Sequence, residues 1–224
     1  YLMWLLNSSI GRKLIMSISG LFLIVFLTVH MVMNLVAVFS LDGYDAVCHF
    51  MGTNPVIQLM VPVLAAGFIV HIIYAGMLTL QNQKARGNDK YASASKTQVS
   101  WASKNMFVLG AIVLGVLVFH LTHFWAKMQL LEWKGEESML GSELIVTVFK
   151  NPVVVAVYLA WILAVWLHLT HGFWSAFQTL GINNKKWYSR LKMIGIIYAT
   201  ILAVGFAVVA VYFYFAPFGA CCAA

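Results

Sequence analysis

Five apolar runs, each long enough to cross a bilayer, leave this chain little freedom in how to fold. In hydrocarbon every backbone N–H and C=O must find its partner within the segment, so runs of this length are helices. Composition agrees: of 224 residues, 62% are hydrophobic and 9% charged, where a soluble domain carries about 25% charged residues. The expectation is an all-α membrane protein, a single integral-membrane domain over 1–224. Its five transmembrane helices form one bundle, at about 13–41, 55–83, 105–130, 152–181 and 193–218.

Local signals set these limits. Pro55 and Pro152 suit a first helical turn, where the missing N–H is not needed, and Gly181 reads as a C-cap glycine. A lead segment, 1–11, carries Trp4 as an interfacial anchor. The connection 42–54 holds Asp42, Asp45, Cys48 and His49, and 131–150 holds Glu132, Glu136, Glu137 and Glu143. The connection 84–104 is basic, with Gly87, Asn88 and Asp89 as breakers, and 182–192 is short and basic. The first run, Leu14 to Leu41, exceeds the ~7–15 residues of a secretory apolar region.

The net charge of +7 is unevenly placed. Of the 14 Lys and Arg, eleven fall on one side of the expected spans: Arg12, Lys13, Lys84, Arg86, Lys90, Lys96, Lys104, Lys185, Lys186, Arg190 and Lys192. Lys127, Lys134 and Lys150 fall on the other, with six of the seven acids. The positive-inside rule makes the basic side cytoplasmic, so the N-terminus is inside and the C-terminus outside. The charge reports topology, not nucleic-acid binding.

Four of the seven histidines recur at matched depths. His30 and His120 each lie ten residues after a glycine, Gly20 and Gly110; His71 and His168 each lie sixteen after the proline of an Asn-Pro-Val start. Helical rise sets His30 and His120 ~24–26 Å from the inner boundary, and His71 and His168 ~24 Å in from the outer one. Two layers result, each drawing one ring from each of two helices. A neutral imidazole in lipid has two nitrogens to satisfy, and an unsatisfied group there costs several kcal/mol. Iron takes one nitrogen and a hydrogen-bond partner orients the other. The pattern points to paired axial ligands for two haems. Cys48, Cys221 and Cys222 form no disulfide framework and no Cys-x-x-Cys-His, so the haems are non-covalent, of b type.

His123 and His171 sit three residues after His120 and His168, on the same face of an α-helix, and either could replace its neighbour. Otherwise they bond backbone, propionate or quinone. Gly20 and Gly110 would let a flat macrocycle approach, and Gly67, Gly76, Gly115 and Gly172 do so or serve close helix packing. Arg12, Lys13, Ser17, Ser103 and Lys104 are candidate propionate partners; each also reads as an ordinary anchor at the inner boundary. No Asp or Glu lies within the expected spans, so a buried carboxylate relay is not expected.

The strings Phe26-Leu-Thr-Val-His30-Met-Val-Met-Asn34, Val70-His71-Ile-Ile-Tyr-Ala-Gly76, His120-Leu and His168-Leu-Thr-His-Gly-Phe-Trp-Ser-Ala-Phe-Gln-Thr-Leu-Gly181 resemble the single-chain dihaem cytochrome b anchor of succinate dehydrogenases and quinol:fumarate reductases. The resemblance implies a distal haem on His30 and His120 and a proximal haem on His71 and His168. It implies menaquinone as the membrane substrate, with Asp45 and His49 as candidate quinone residues. It also implies an iron–sulfur subunit and an FAD-bearing flavoprotein on the cytoplasmic side, in a bacterial inner membrane, in a complex of which dimers are an option. Where some members carry a buried glutamate, this chain has Trp166, which puts a proton path of that kind in doubt. Cytochrome b subunits of hydrogenases, formate dehydrogenases or nitrate reductases, and a haem-free histidine-using transporter, are the rival readings.

Overall fold

A computed structural model describes residues 8–86, 101–182 and 184–217. Trp4, Gly87, Asn88, Asp89, Lys90, Lys96, Cys221, Cys222 and the end of the fifth expected span at Phe218 lie outside these residues. The described chain is helical, with five helices long and apolar enough to cross a membrane: Ser9–Phe39, Pro55–Ala85, Met106–Lys134, Pro152–Thr179 and Lys186–Phe215. At 28 to 31 residues and 1.5 Å per residue, each exceeds the ~30 Å hydrocarbon core and must tilt or protrude.

Helix α1, Ser9–Phe39, begins where the Ser8 hydroxyl accepts from Gly11 N at 2.9 Å. Ser40 ends it by turning extended, at φ −156°, and caps α2, Leu41–Thr53, by accepting from Gly43 N. Asn54 then opens α3, Pro55–Arg86: its side-chain oxygen accepts from Val56 N at 3.0 Å. Asn151 does the same for Val153 N at 2.9 Å, opening α8. The Asn-Pro-Val string is therefore a complete start signal, an N-cap followed by proline in the first turn.

One turn of helix, α4 (Trp101–Lys104), precedes α5 (Met106–His120). A π-helical stretch, Leu121–Leu130, and the short α6, Leu131–Lys134, complete that span. Helix α7, Gly141–Phe149, leads to α8, Pro152–Thr179. Gly181 closes α8 at φ 97°, where Ile182 N donates to Phe177 O and Gly181 N to Gln178 O; this left-handed stop needs glycine. Helix α9, Lys185–Phe215, starts eight residues before the sequence-based limit, because Asn184 accepts from Trp187 N at 2.9 Å.

The two acidic connections are not loops. Residues 42–54 form most of α2, and 131–150 contain α6 and α7. In α7, Leu144 and Ile145 are fully buried: the acids marked a boundary, while the apolar residues between them make an inward helix face.

Two compact units divide the chain: Tyr1–Phe26, Pro62–Gly110 and Leu167–Ala199 form one, and Leu27–Val61, Ala111–Trp166 and Thr200–Ala224 the other. Every boundary falls inside a long helix rather than at a linker. In the first unit, Phe22 presses on Gly67, where an added Cβ would come within 2.6 Å of the ring, so Gly67 is a packing glycine. Phe173 fills the space at Gly195 in the same way. In the second unit, Ala37, Tyr44, Ile145, Phe149, Tyr158 and Phe213 share one core cluster.

Candidate functional site

Within the first unit, α1, α3, α5 and α8 meet around two rings. His71 of α3 and His168 of α8 lie with ring centroids 6.4 Å apart at an interplanar angle of 63°. An added Cβ on Gly20 would come within 3.3 Å of His71 Cε1, and one on Gly110 within 3.8 Å of His168 Cε1. The glycines used as sequence registers for His30 and His120 thus clear space beside the rings of the other pair. His71 Nδ1 lies 3.2 Å from Ser19 Oγ. His168 Nδ1 is buried without a hydrogen-bond partner, as is His171 Nδ1.

His171 packs edge-on against Trp174, centroids 4.9 Å apart. Trp174 and Tyr188 both face the Lys192 ammonium, at 5.3 and 5.2 Å. Arg12, Lys13, Ser17, Ser103 and Lys104 belong to this unit too. Ser17 is buried, whereas Lys13 and Lys104 are exposed.

The second unit holds the other pair. His30 of α1 and His120 at the end of α5 have centroids 5.8 Å apart, 85° between planes. His120 is walled by Trp161 at 5.5 Å and Phe124 at 5.2 Å, and Trp161 is fixed by donating to Val113 O at 3.1 Å. Tyr158 Oη reaches His120 Nδ1 at 3.4 Å. One turn beyond His30, Asn34 donates to the His30 carbonyl at 2.8 Å and accepts from Tyr44 Oη at 3.4 Å.

The π-helical stretch begins immediately after His120. Its wider winding shifts the phase of the residues beyond that point, yet His120 and His123 both lie against Tyr158, with centroids 6.0 and 6.4 Å away. His123 packs edge-on against Phe119, centroids 4.1 Å apart, and its buried Nδ1 has no partner.

Asp45 is half-buried and committed: it accepts from Ser142 N at 2.8 Å and from Ser142 Oγ at 2.5 Å, holding the start of α7. His49, one turn on, is exposed. Burial pushes the neighbouring Cys48 thiol up to about 11, with Asp45 adding to it and a hydrogen bond to Tyr44 opposing. A thiol held protonated is a weak nucleophile at neutral pH. Trp166 donates to Thr200 Oγ1 at 3.0 Å, a neutral bond where a carboxylate would titrate.

Two groups that touch the paired histidines escaped the sequence reading, Ser19 and Tyr158. Each lies on a different helix from the histidine it touches, so only knowledge of which helix faces meet could have found them.

No family model matches the chain, and no solved structure matches it significantly. Among curated proteins it is similar to the succinate dehydrogenase cytochrome b558 subunit of Bacillus subtilis (strain 168), 22% identical over 161 residues that cover 71% of this chain and 73% of that one. The resemblance carried by the helix motifs points to the same family as this similarity.

Proposed function

We propose that this chain is the membrane-anchor cytochrome b subunit of a succinate:quinone oxidoreductase, working as a succinate dehydrogenase or a quinol:fumarate reductase. The observation that carries this reading is the pairing of His30 with His120 and of His71 with His168, at 5.8 and 6.4 Å. Two imidazoles binding one metal from opposite faces stand roughly 6 Å apart, being about 2 Å from metal to nitrogen and about 1 Å from nitrogen to ring centre on each side. Each pair draws its rings from two membrane spans.

The residues fit a flat iron macrocycle. Gly20 and Gly110 keep the backbone beside His71 and His168 free of side chain, and Gly76, Gly115 and Gly172 have nothing within 4 Å of a Cβ position. His168 is buried with no hydrogen-bond partner at Nδ1, a cost of about 1–3 kcal/mol that metal binding at the other ring nitrogen would offset. Two haems b held by these pairs supply one-electron carriers between membrane quinone, read as menaquinone, and an iron–sulfur cluster on a partner subunit.

The chain's own work is to bind, orient and exclude water. Trp161, Phe124 and Tyr158 wall the His30–His120 pair, which holds the distal haem. Gly20 and Gly110 leave room beside the His71–His168 pair, which holds the proximal one. Arg12, Ser17 and Ser103 are proposed to meet propionates, with Lys13 and Lys104 at the boundary. His49 is proposed to face quinone from α2, whose position Asp45 fixes through α7. The basic side, with the N-terminus, faces the cytoplasm and docks the iron–sulfur subunit, which binds the FAD-bearing flavoprotein where succinate or fumarate reacts.

The test is a reduced-minus-oxidised spectrum of the complex purified from membranes, with haem counted per chain. Two haems of b type are expected, one lost in His71→Ala or His168→Ala and the other in His30→Ala or His120→Ala. Absence of a b-type α-band would overturn the reading. Retention of both haems in His120→Ala with loss in His123→Ala would overturn the ligand set.

A further inference from the structure

We infer that Ser19 is a positioning residue for the haem bound by His71 and His168: its hydroxyl accepts the Nδ1–H of His71 and thereby commits Nε2 to the metal. This role rests on the haem reading above and falls to a residue which that reading does not require.

Counting protons favours one direction for the bond. A serine hydroxyl carries one proton and two acceptor lone pairs. Ser19 places its proton on the Met16 carbonyl at 3.0 Å, a carbonyl that also accepts from His71, and with that proton so placed Ser19 accepts at His71 Nδ1, 3.2 Å away. The proton between them belongs to the imidazole, and Nε2 keeps its lone pair. Ser19 is 8% exposed, so water does not compete for this bond.

The next residue completes the cradle. A Cβ on Gly20 would come within 3.3 Å of His71 Cε1, tighter than an ordinary contact. Consecutive residues of α1 therefore hold the ring of α3, one by hydrogen bond and one by lacking a side chain. The opposing ring is held differently, since His168 Nδ1 has no hydrogen-bond partner. The two ligands of this pair are unequal. An imidazole that donates its second N–H is the more basic ligand; it favours ferric iron and lowers the reduction potential.

Redox titration of the α-bands in the purified complex tests this. The haem under test is identified as the one missing from His168→Ala. In Ser19→Ala its midpoint should rise by about a tenfold change in oxidised-to-reduced ratio, about 59 mV for a one-electron couple. The other haem should not move. Ser19→Thr, which keeps the hydroxyl, should stay within about twofold of the unmodified complex. If Ser19→Ala releases the haem, Ser19→Thr should retain it.

Unchanged midpoints in Ser19→Ala with both haems bound would overturn the proposal. So would a Ser19→Thr variant that shifts, or loses the haem, as Ser19→Ala does, because bulk rather than the hydroxyl would then be responsible. An unmodified complex with no b-type band removes the haem reading and this proposal together, and that spectrum alone tells the two failures apart.

Discussion

Tyr158 must satisfy a hydroxyl inside an apolar core, and it does so on a histidine. It is 4% exposed, with its ring 5.1 Å from that of Phe149 and 6.0 Å from that of Phe119. Tyr158→Phe keeps the volume and gives up one bond, so it should cost about 0.5–1.5 kcal/mol. Tyr158→Ala should cost about 3–5 kcal/mol, because the surrounding rings cannot collapse into the space. Denaturant unfolding of the detergent-solubilised chain measures both, and equal losses would mean that the ring's packing contributes nothing. The four paired histidines were legible in the sequence because their offsets repeat. Tyr158 and Ser19 were not, since a tyrosine in an apolar run reads as packing and a helical serine as a bond to its own backbone.

Among the elements, starts are better defined than connections. Asn54 and Asn151 each satisfy an orphan N–H of the helix they open. Asn54→Ala or Asn151→Ala should therefore destabilise the chain by about 0.5–2 kcal/mol, with glycine at either site costing only a few tenths. The same unfolding measurement checks this, and equal costs for alanine and glycine would remove the capping role. The prolines were readable because they break a pattern. The helical character of α2 and α7 was harder to read, since Asp42, Asp45 and Glu143 suggested solvent. What makes α7 a helix is partly remote: Asp45 of α2 accepts from Ser142 N and Oγ at its first turn. The inward face formed by Leu144, Ile145, Val148 and Phe149 is helically spaced and could have been read.

For the whole molecule, the decisive feature is which surface meets lipid. Val25, Val29 and Val32 of α1 form exposed apolar stripes, as do Ile197, Ile201, Val204 and Val208 of α9. At helical spacing such stripes suit hydrocarbon and would aggregate in water. The proposed orientation rests on the charge division of eleven cations to three. Reporters fused within 84–104 should be active only if cytoplasmic, and those fused within 135–140 only if exported. The opposite pattern would overturn the proposed cytoplasmic placing of the basic side. Apolar length, charge bias and histidine offsets are properties of the chain read in one dimension. They determined the helical class, the five spans and the four candidate ligands, because lipid leaves the backbone a single way to satisfy itself. Which ring meets which ring, and which hydroxyl turns it, depends on helix phase and on contacts between residues far apart in the chain, such as Asp45 with Ser142, 97 positions on. Only tertiary packing decides those, because a helix presents every side chain to some neighbour and its sequence does not say which.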